Sequence, residues 1–305
     1  MFDVIIIGSG PAGLTASIYT TRANLKTLLV AGKSWGGQLM LTTLVENYPG
    51  FPDGVQGPDL MFAMRKQVER FGPTIIDEDL TSADFSKRPF KVTVAGKTYE
   101  AKSVIIATGA DSKKIGVKGE EEFAGKGVSY CAVCDGAFFK EKDVIVVGGG
   151  DTAMEDSTFL THFAKSVTIV HRRHEFKASK IMLDRAMNNP KIKFVKGCEL
   201  TEIKGGEKVS SIAFKNNETQ KVTEIPIDGV FVAIGHVPNS SVFNEIDVDP
   251  EGYIKVHDHY LTNVEGVFVA GDVHDRHYRQ AVTAAGYGSA AALEAERWLS
   301  SQKQV

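Results

Sequence analysis

The chain has 305 residues, of which 43% are hydrophobic and 24% charged, with a formal net charge of -3. That balance is ordinary for a globular protein and excludes a disordered chain, a fibre and a global basic field for nucleic acid or an anionic membrane. The length points to two domains, no apolar run approaches the roughly 18 residues of a membrane span, and three cysteines are too few for a disulfide framework.

Residues 4–7 form a short apolar run, as expected of a strand buried on both faces. It starts close to Met1, so no leader before it and a cytoplasmic protein are expected. Gly8, Gly10 and Gly13 follow in the spacing G-x-G-x-x-G, with Pro11 and Ala12 inside it, and a helical pattern then runs toward Arg22. Strand, glycine turn and helix start in that order make a dinucleotide fingerprint. The glycines let the backbone approach phosphate, and the helix N-terminus offers it free N–H groups. A second strand is expected at 28–30. An acid usually follows it to hold ribose hydroxyls, but Ala31, Gly32 and Lys33 stand there, so the adenosine contact is unassigned.

Gly36, Gly37 and Gln38, and then Asn47, fall in loop-like segments. Adjacent glycines let a backbone lie flat against a planar ring, and the amides can hydrogen-bond its heteroatoms; solvated surface turns explain the same residues equally well. An amphipathic helix is expected over 60–71 and a hairpin over 90–94 and 98–100. Residues 104–106 read as a separate buried strand leading into Ala107, Thr108 and Gly109, which are small enough to pass under a cofactor.

Cys131 and Cys134 are separated by two residues. That spacing closes a small disulfide ring and can lower a thiol pKa toward neutrality, so the pair can cycle between dithiol and disulfide. Asp135, directly after it, is a candidate general acid for a leaving thiolate, with a helix cap as the plain alternative. A zinc half-site is the rival reading. It lacks partners, because there is no second Cys-x-x-Cys and Cys198, His257 and His259 are remote, so no metal is expected.

A near copy of the first fingerprint follows at Gly148, Gly150 and Ala153, with Asp151 and Thr152 inside it. Asp151 at the helix start would either crowd a pyrophosphate or cap the helix. After the strand expected at 167–170 come His171, Arg172 and Arg173, with Lys177 beyond, where a reader of the ribose 2′-hydroxyl would carry an acid. Fixed positive charge suits a 2′-phosphate, which favours NADPH over NADH. Residues 229–235 repeat the strand-then-glycine form of 104–109, so each fingerprint has its own partner strand and the chain contains an internal duplication. Residues 247–260 alternate around a Pro250-Glu251-Gly252 turn. A further strand ends at Gly271 and Asp272, whose carboxylate can accept hydrogen bonds from a polyol. Arg279, Gln280 and Ala281 then open a helix reaching Leu299, whose N-terminus would favour negative charge on a reduced flavin.

Taken together, these motifs resemble bacterial-type, low-molecular-weight thioredoxin reductases over nearly the whole chain. The most specific part is the cysteine pair placed just ahead of the second nucleotide motif. The resemblance implies an α/β fold of two Rossmann-like, FAD/NAD(P)-binding domains, the second inserted into the first. Residues 1–112 and 243–305 would form the FAD domain and 113–242 the NADPH domain carrying the redox disulfide. It also implies a homodimer and thioredoxin as the protein partner, with no nucleic acid and no membrane.

In that pattern Gly8, Gly10, Gly13, Gly37, Gln38, Asn47, Asp272 and Gln280 contact FAD, among the wider set Pro11, Ala12, Gly36, Gly109, Gly271, Arg279 and Ala281. Gly150, Thr152, Arg172, Arg173 and Lys177 contact NADPH, with Gly148, Asp151, Ala153 and His171 beside them. Cys134 faces the flavin and Cys131 attacks the partner disulfide. Lys177 stands where a third arginine is common, giving a point charge in place of a fork. Because disulfide and nicotinamide share one domain yet must reach one flavin ring, that domain is expected to rotate, with hinges near 113–116 and 238–240. The competing readings are a flavoenzyme of the same shape using ferredoxin as donor or another disulfide carrier as acceptor, and a sensor without turnover.

Overall fold

The structure is a computed structural model and describes residues 1–302. The chain divides into two compact units, Met1–Asp111 with Val237–Val305, and Ser112–His236. The return crossing therefore falls at His236/Val237, earlier than the 242/243 expected from the sequence. The reason is local bonding: Asn239 N–H donates to Gly109 O at 3.0 Å and its side-chain amide to Thr108 O at 3.2 Å, while Thr108 Oγ1 donates to Asn239 O at 2.6 Å. These bonds tie Asn239 into the first unit.

The first unit is built on parallel strands. Thr74–Ile76, Thr27–Val30, Phe2–Ile7, the later half of Lys97–Ile106 and Val267–Val269 lie side by side in that order. Lys97–Ile106 is one continuous strand where two were expected. Its first half pairs antiparallel with Phe90–Val94, which in turn pairs with Leu80–Asp84, and its second half joins the parallel sheet. Because side chains alternate across a strand, the apolar runs feed two cores. Val4, Ile6, Leu29, Ile105 and Phe268 pack with buried residues of the helices Pro11–Arg22, Gly57–Arg70 and Ala281–Gln302. Ile5, Ile7, Leu28, Val104, Ile106 and Val269 pack on the opposite face against Phe85, Phe90, Phe243 and Ile254. The alternating segment at 247–260 does not form long strands and contributes only the isolated bridges Val248 to Ile254 and Asp258 to Leu261.

The second unit repeats the plan. Val128–Ser129, Gly229–Val232, Asp143–Val147, Ser166–His171 and Ile192–Lys196 form a five-stranded parallel sheet. Its Val144, Val146, Val167, Ile169 and Phe231 pack toward residues of the helices Asp151–Leu160 and Lys180–Met187. Ile145, Val170, Val230 and Val232 pack toward an antiparallel sheet of Cys198–Gly205, Val209–Asn216 and Val222–Pro226.

The duplication extends to single bonds. Gly8 N–H donates to Val30 O and Ala107 N–H to Ile7 O; in the second unit Gly148 N–H donates to Val170 O and Ala233 N–H to Val147 O. A Cβ on Gly8 would lie 2.2 Å from Ala107 O, and one on Gly148 would lie 2.3 Å from Ala233 O. Each first glycine is therefore required by the backbone of the partner strand passing beneath it.

Among the described residues no helix is long and apolar enough to cross a membrane, and no group of three or more His, Cys, Asp or Glu could hold a metal ion.

Candidate functional site

In the first unit the strand Phe2–Ile7 delivers the chain into its glycine turn, and Gly10 becomes the N-cap of the helix Pro11–Arg22 with no side-chain cap. A Cβ built on Gly10 meets nothing within 4 Å, whereas one on Gly13 would sit 1.8 Å from Gly8 O. The middle glycine thus faces open space beside uncapped N–H groups, and the third is needed for close packing of helix on strand. That is a cradle for a diphosphate.

Ser9, the buried residue between the first two glycines, donates to Ala31 O at 2.7 Å and accepts from Gly36 N–H at 3.0 Å. One hydroxyl thereby locks the end of the second strand and the Gly36-Gly37 turn to the cradle. Gly36 and Gly37 both have positive φ, and a Cβ on Gly37 would come 3.7 Å from Gly10 Cα. Gln38 Nε2 donates to Asp111 at 2.8 Å, and Asn47 Nδ2 donates to Gln280 Oε1 at 3.1 Å. Asn47 and Gln280, distant in sequence, are in direct contact. Gly109 has positive φ and open space where a Cβ would project.

Gly271 packs against Ala12, and Asp272 follows with its Oδ1 buried and without a hydrogen-bond partner. Burial, with the nearby Asp275 adding to it, pushes the Asp272 carboxyl up to about 7, against a smaller opposing pull from Arg279. A buried orphan acceptor is costly unless a donor arrives, and the hydroxyls of a flavin's polyol chain are such donors. Asp275 accepts from the backbone N–H groups of His277, Tyr278 and Arg279, and so shapes the loop that leads to Gln280 and the helix beginning at Ala281. The open cradle, the positive-φ glycines and the orphaned carboxylate fit FAD.

An acid from elsewhere in the chain does stand at the turn after the second strand. Asp79 accepts from Lys33 N–H at 2.9 Å, and its Oδ1 lies 3.4 Å from where a Gly32 Cβ would be. No local signal marks Asp79, because it joins this turn only through the pairing of Thr27–Val30 with Thr74–Ile76.

In the second unit Gly150 is again an uncapped helix N-cap with open space at its Cβ position. Ala153 is fully buried, and Thr152 is partly exposed in the first turn. Asp151 neither caps its helix nor stands alone: it accepts from Ser179 N–H at 2.6 Å. The carboxylate is thus engaged by the segment that follows the basic residues. Lys177 and Ala178 N–H groups both donate to Gly149 O, at 2.8 and 3.2 Å, which brings the basic segment onto the glycine turn. The His171 ring stacks on Phe176 and lies against Gly149, with Nε2 3.1 Å from Glu175 O. Burial lowers its pKa, and the cations Arg172, Arg173 and Lys177 lower it further. Arg172, Arg173 and Lys177 are exposed. Open cradle and free cations fit a phosphorylated dinucleotide.

The same unit carries the sulfur pair. Cys131 and Cys134 form a disulfide with a Cα–Cα distance of 5.3 Å, Cys131 capping the short helix Ala132–Asp135. Cys134 N–H donates to Cys131 Sγ at 3.2 Å. Cys134 is exposed, Cys131 half-buried. Burial raises the Asp135 pKa, and a hydrogen bond from Ser129 opposes that rise. Asp135 makes no side-chain cap bond, so the capping alternative is not what the structure shows. The buried Ser129, which sequence reading passes over, also accepts from Cys131 N–H at 3.1 Å. Behind it Tyr130 donates to Glu120, a carboxylate only 1% exposed that accepts from Ile115 and Gly116 N–H at 2.9 and 2.7 Å. Cys198 is a buried free thiol at the start of its strand.

The arrangement provides two glycine turns suited to nucleotides and a disulfide with an adjacent carboxyl held above its ordinary range. Comparison with known proteins agrees. A family profile for pyridine nucleotide-disulphide oxidoreductases matches residues 2–288. A thioredoxin reductase of Mycolicibacterium smegmatis is 52% identical over 302 residues, covering 98% of this chain and 97% of that protein. The structure of a thioredoxin reductase from Giardia duodenalis superposes with a TM-score of 0.94 at 45% identity, covering 98% of this chain and 99% of that one. A ferredoxin-flavin thioredoxin reductase from Clostridium acetobutylicum matches at a TM-score of 0.55 and 31% identity, covering 100% and 99% of the two chains.

Proposed function

The chain belongs to the pyridine nucleotide-disulphide oxidoreductase family and, within it, to the thioredoxin reductases, and from that premise we propose that it uses NADPH and FAD to reduce the disulfide of thioredoxin through Cys131 and Cys134. We place it in the cytoplasm as a homodimer. The observation that carries the reading is the Cys131–Cys134 disulfide itself, followed at once by a partly buried acid.

Bound FAD supplies a two-electron carrier between a nicotinamide and a disulfide. Gly8, Gly10 and Gly13 would hold its diphosphate, Asp272 would accept from its polyol hydroxyls, and Gly37, Gln38, Asn47 and Gln280 would contact its flavin. Gly150 and Thr152 take the NADPH diphosphate, and Arg172, Arg173 and Lys177 take its 2′-phosphate. The Cys131–Cys134 bond accepts two electrons and two protons to give the dithiol. Cys131, as thiolate, then attacks one sulfur of the thioredoxin disulfide, forming a mixed disulfide and expelling the other sulfur as thiolate. Asp135, whose carboxyl burial raises above its ordinary range, protonates that leaving thiolate. Cys134 attacks Cys131 Sγ, releases the second thioredoxin thiol and restores the ring. Ser129 holds the Cys131 backbone and the Asp135 carboxyl in register.

Ferredoxin as donor is the second reading, since one structural neighbour is named for that donor. The exposed cations on the second glycine turn favour NADPH here. The test is the visible spectrum of the purified protein during anaerobic addition of NADPH and then oxidised thioredoxin. Flavin absorbance should bleach and then return. A colourless protein that takes up no FAD, or bleached flavin that thioredoxin fails to reoxidise, overturns the corresponding half of the scheme.

A further inference from the structure

The basic segment that carries coenzyme specificity is gripped from two sides. On one side Lys177 and Ala178 bind the glycine turn through Gly149 O. On the other stands an element with no nucleotide motif of its own, the hairpin tip between the antiparallel strands Val209–Asn216 and Val222–Pro226. Asn217 Nδ2 donates to Arg172 O at 2.8 Å, and Asn217 N–H donates to Gly197 O at 2.8 Å. Gly197 N–H donates to Arg173 O at 3.3 Å. His174 Nε2 lies 3.0 Å from Glu218 Oε1, and the His174 ring covers Gly197 so closely that a Cβ there would come within 2.6 Å of it. Three successive residues, Arg172, Arg173 and His174, are thus each held by Gly197 or by the tip. The tip is itself ordered: Asn216 Oδ1 accepts from Glu218 and Thr219 N–H at 3.0 and 2.9 Å.

We propose that Asn217 is a positioning residue for coenzyme specificity, acting through the Arg172 carbonyl to set the guanidinium groups of Arg172 and Arg173 for a ribose 2′-phosphate. The inference rests on the reading that these arginines take that phosphate. Its physical basis is entropic and geometric. An arginine side chain has a large rotamer freedom to lose, and a bidentate phosphate contact tolerates little error in where its stem begins. Anchoring the main chain beneath both arginines removes part of that search before the coenzyme arrives. A coenzyme without the 2′-phosphate makes no use of these side chains, so the anchor affects NADPH alone.

The experiment compares with the parent protein Asn217→Ala, which removes the donor without adding charge and carries the test, and Asn217→Asp, which keeps the shape but loses the donor and adds a negative charge. Arg172→Ala serves as a control on the premise. Steady-state KM and kcat are measured with NADPH and NADH, and 2′,5′-ADP and 5′-AMP are titrated by calorimetry against the holoenzyme. Both Asn217 variants should raise KM for NADPH and weaken 2′,5′-ADP about three- to tenfold, leave kcat near the parent value, and leave NADH and 5′-AMP within twofold. Equal losses with both coenzymes would make the tip merely structural and overturn the inference. So would an unchanged NADPH preference in the Asn217 variants when Arg172→Ala reduces it. An unchanged preference in Arg172→Ala as well removes the phosphate reading itself. Should Asn217→Asp fail to fold, Asn217→Ala carries the same comparison.

Discussion

Replacing Asp272 by Asn should change how the flavin-free protein's stability depends on pH. The Asp272 carboxyl is buried with one oxygen unpartnered, and it titrates at about 7 in place of its ordinary 3.8. Between those values the folded chain holds a proton that the unfolded chain has released, so this residue's contribution to stability falls as pH rises through that window. A displacement of about three pH units at 1.36 kcal/mol each amounts to about 4 kcal/mol, all of it lost above pH 7. His274 acts in the opposite sense. Burial lowers its pKa to about 4, so the unfolded chain binds the extra proton and stability rises with pH up to the unfolded value near 6.5. The two effects largely mask each other in the parent protein below pH 6.5.

Asp272→Asn removes one of them. Urea unfolding of the apoprotein, parent and variant, from pH 4.5 to 8 isolates the Asp272 contribution as a difference. The variant should gain relative stability at about 1.4 kcal/mol per pH unit up to pH 7 and then level off. FAD, whose hydroxyls would stabilise the ionised carboxylate, should flatten the difference in the holoprotein. A difference that stays constant across the range would refute the assignment of a buried, unpartnered carboxyl.

Two further outcomes follow from the second unit. Glu120→Ala removes a buried carboxylate that satisfies Ile115 N–H, Gly116 N–H and the Tyr130 hydroxyl, and it should cost about 3 kcal/mol or more in chemical denaturation; Glu120→Gln, which retains one acceptor, should cost less. Asp135→Asn should slow thioredoxin reduction by about 10²- to 10⁴-fold while stopped-flow reduction of the flavin by NADPH stays at the parent rate, and slowing of both steps alike would argue against a role in thiol protonation.

Much of this molecule is legible locally. Strands buried on both faces leave unbroken apolar runs, so 4–7, 28–30, 104–106 and 229–232 are readable without a structure, and so are the glycine spacings that each such strand delivers. The Cys131–Cys134 spacing is likewise a property of a few adjacent residues. The half-exposed strands are a different matter. In Cys198–Gly205 and Val222–Pro226 buried and solvated positions mix with lysines and glutamates, and the antiparallel sheet of the second unit leaves little trace in the sequence.

What the amino-acid order determined by itself was the duplicated nucleotide-binding plan, the sulfur pair and the sign of charge beside the second glycine turn. The tertiary structure decided which distant groups pack against those segments. Asp79 at the Gly32 turn, Asn47 against Gln280, Ser179 on Asp151 and Asn217 under Arg172 are all contacts between residues far apart in the chain. Their partners are chosen by strand pairing and register, which bring side chains together only after the sheets have formed, and no nearby residue records that choice.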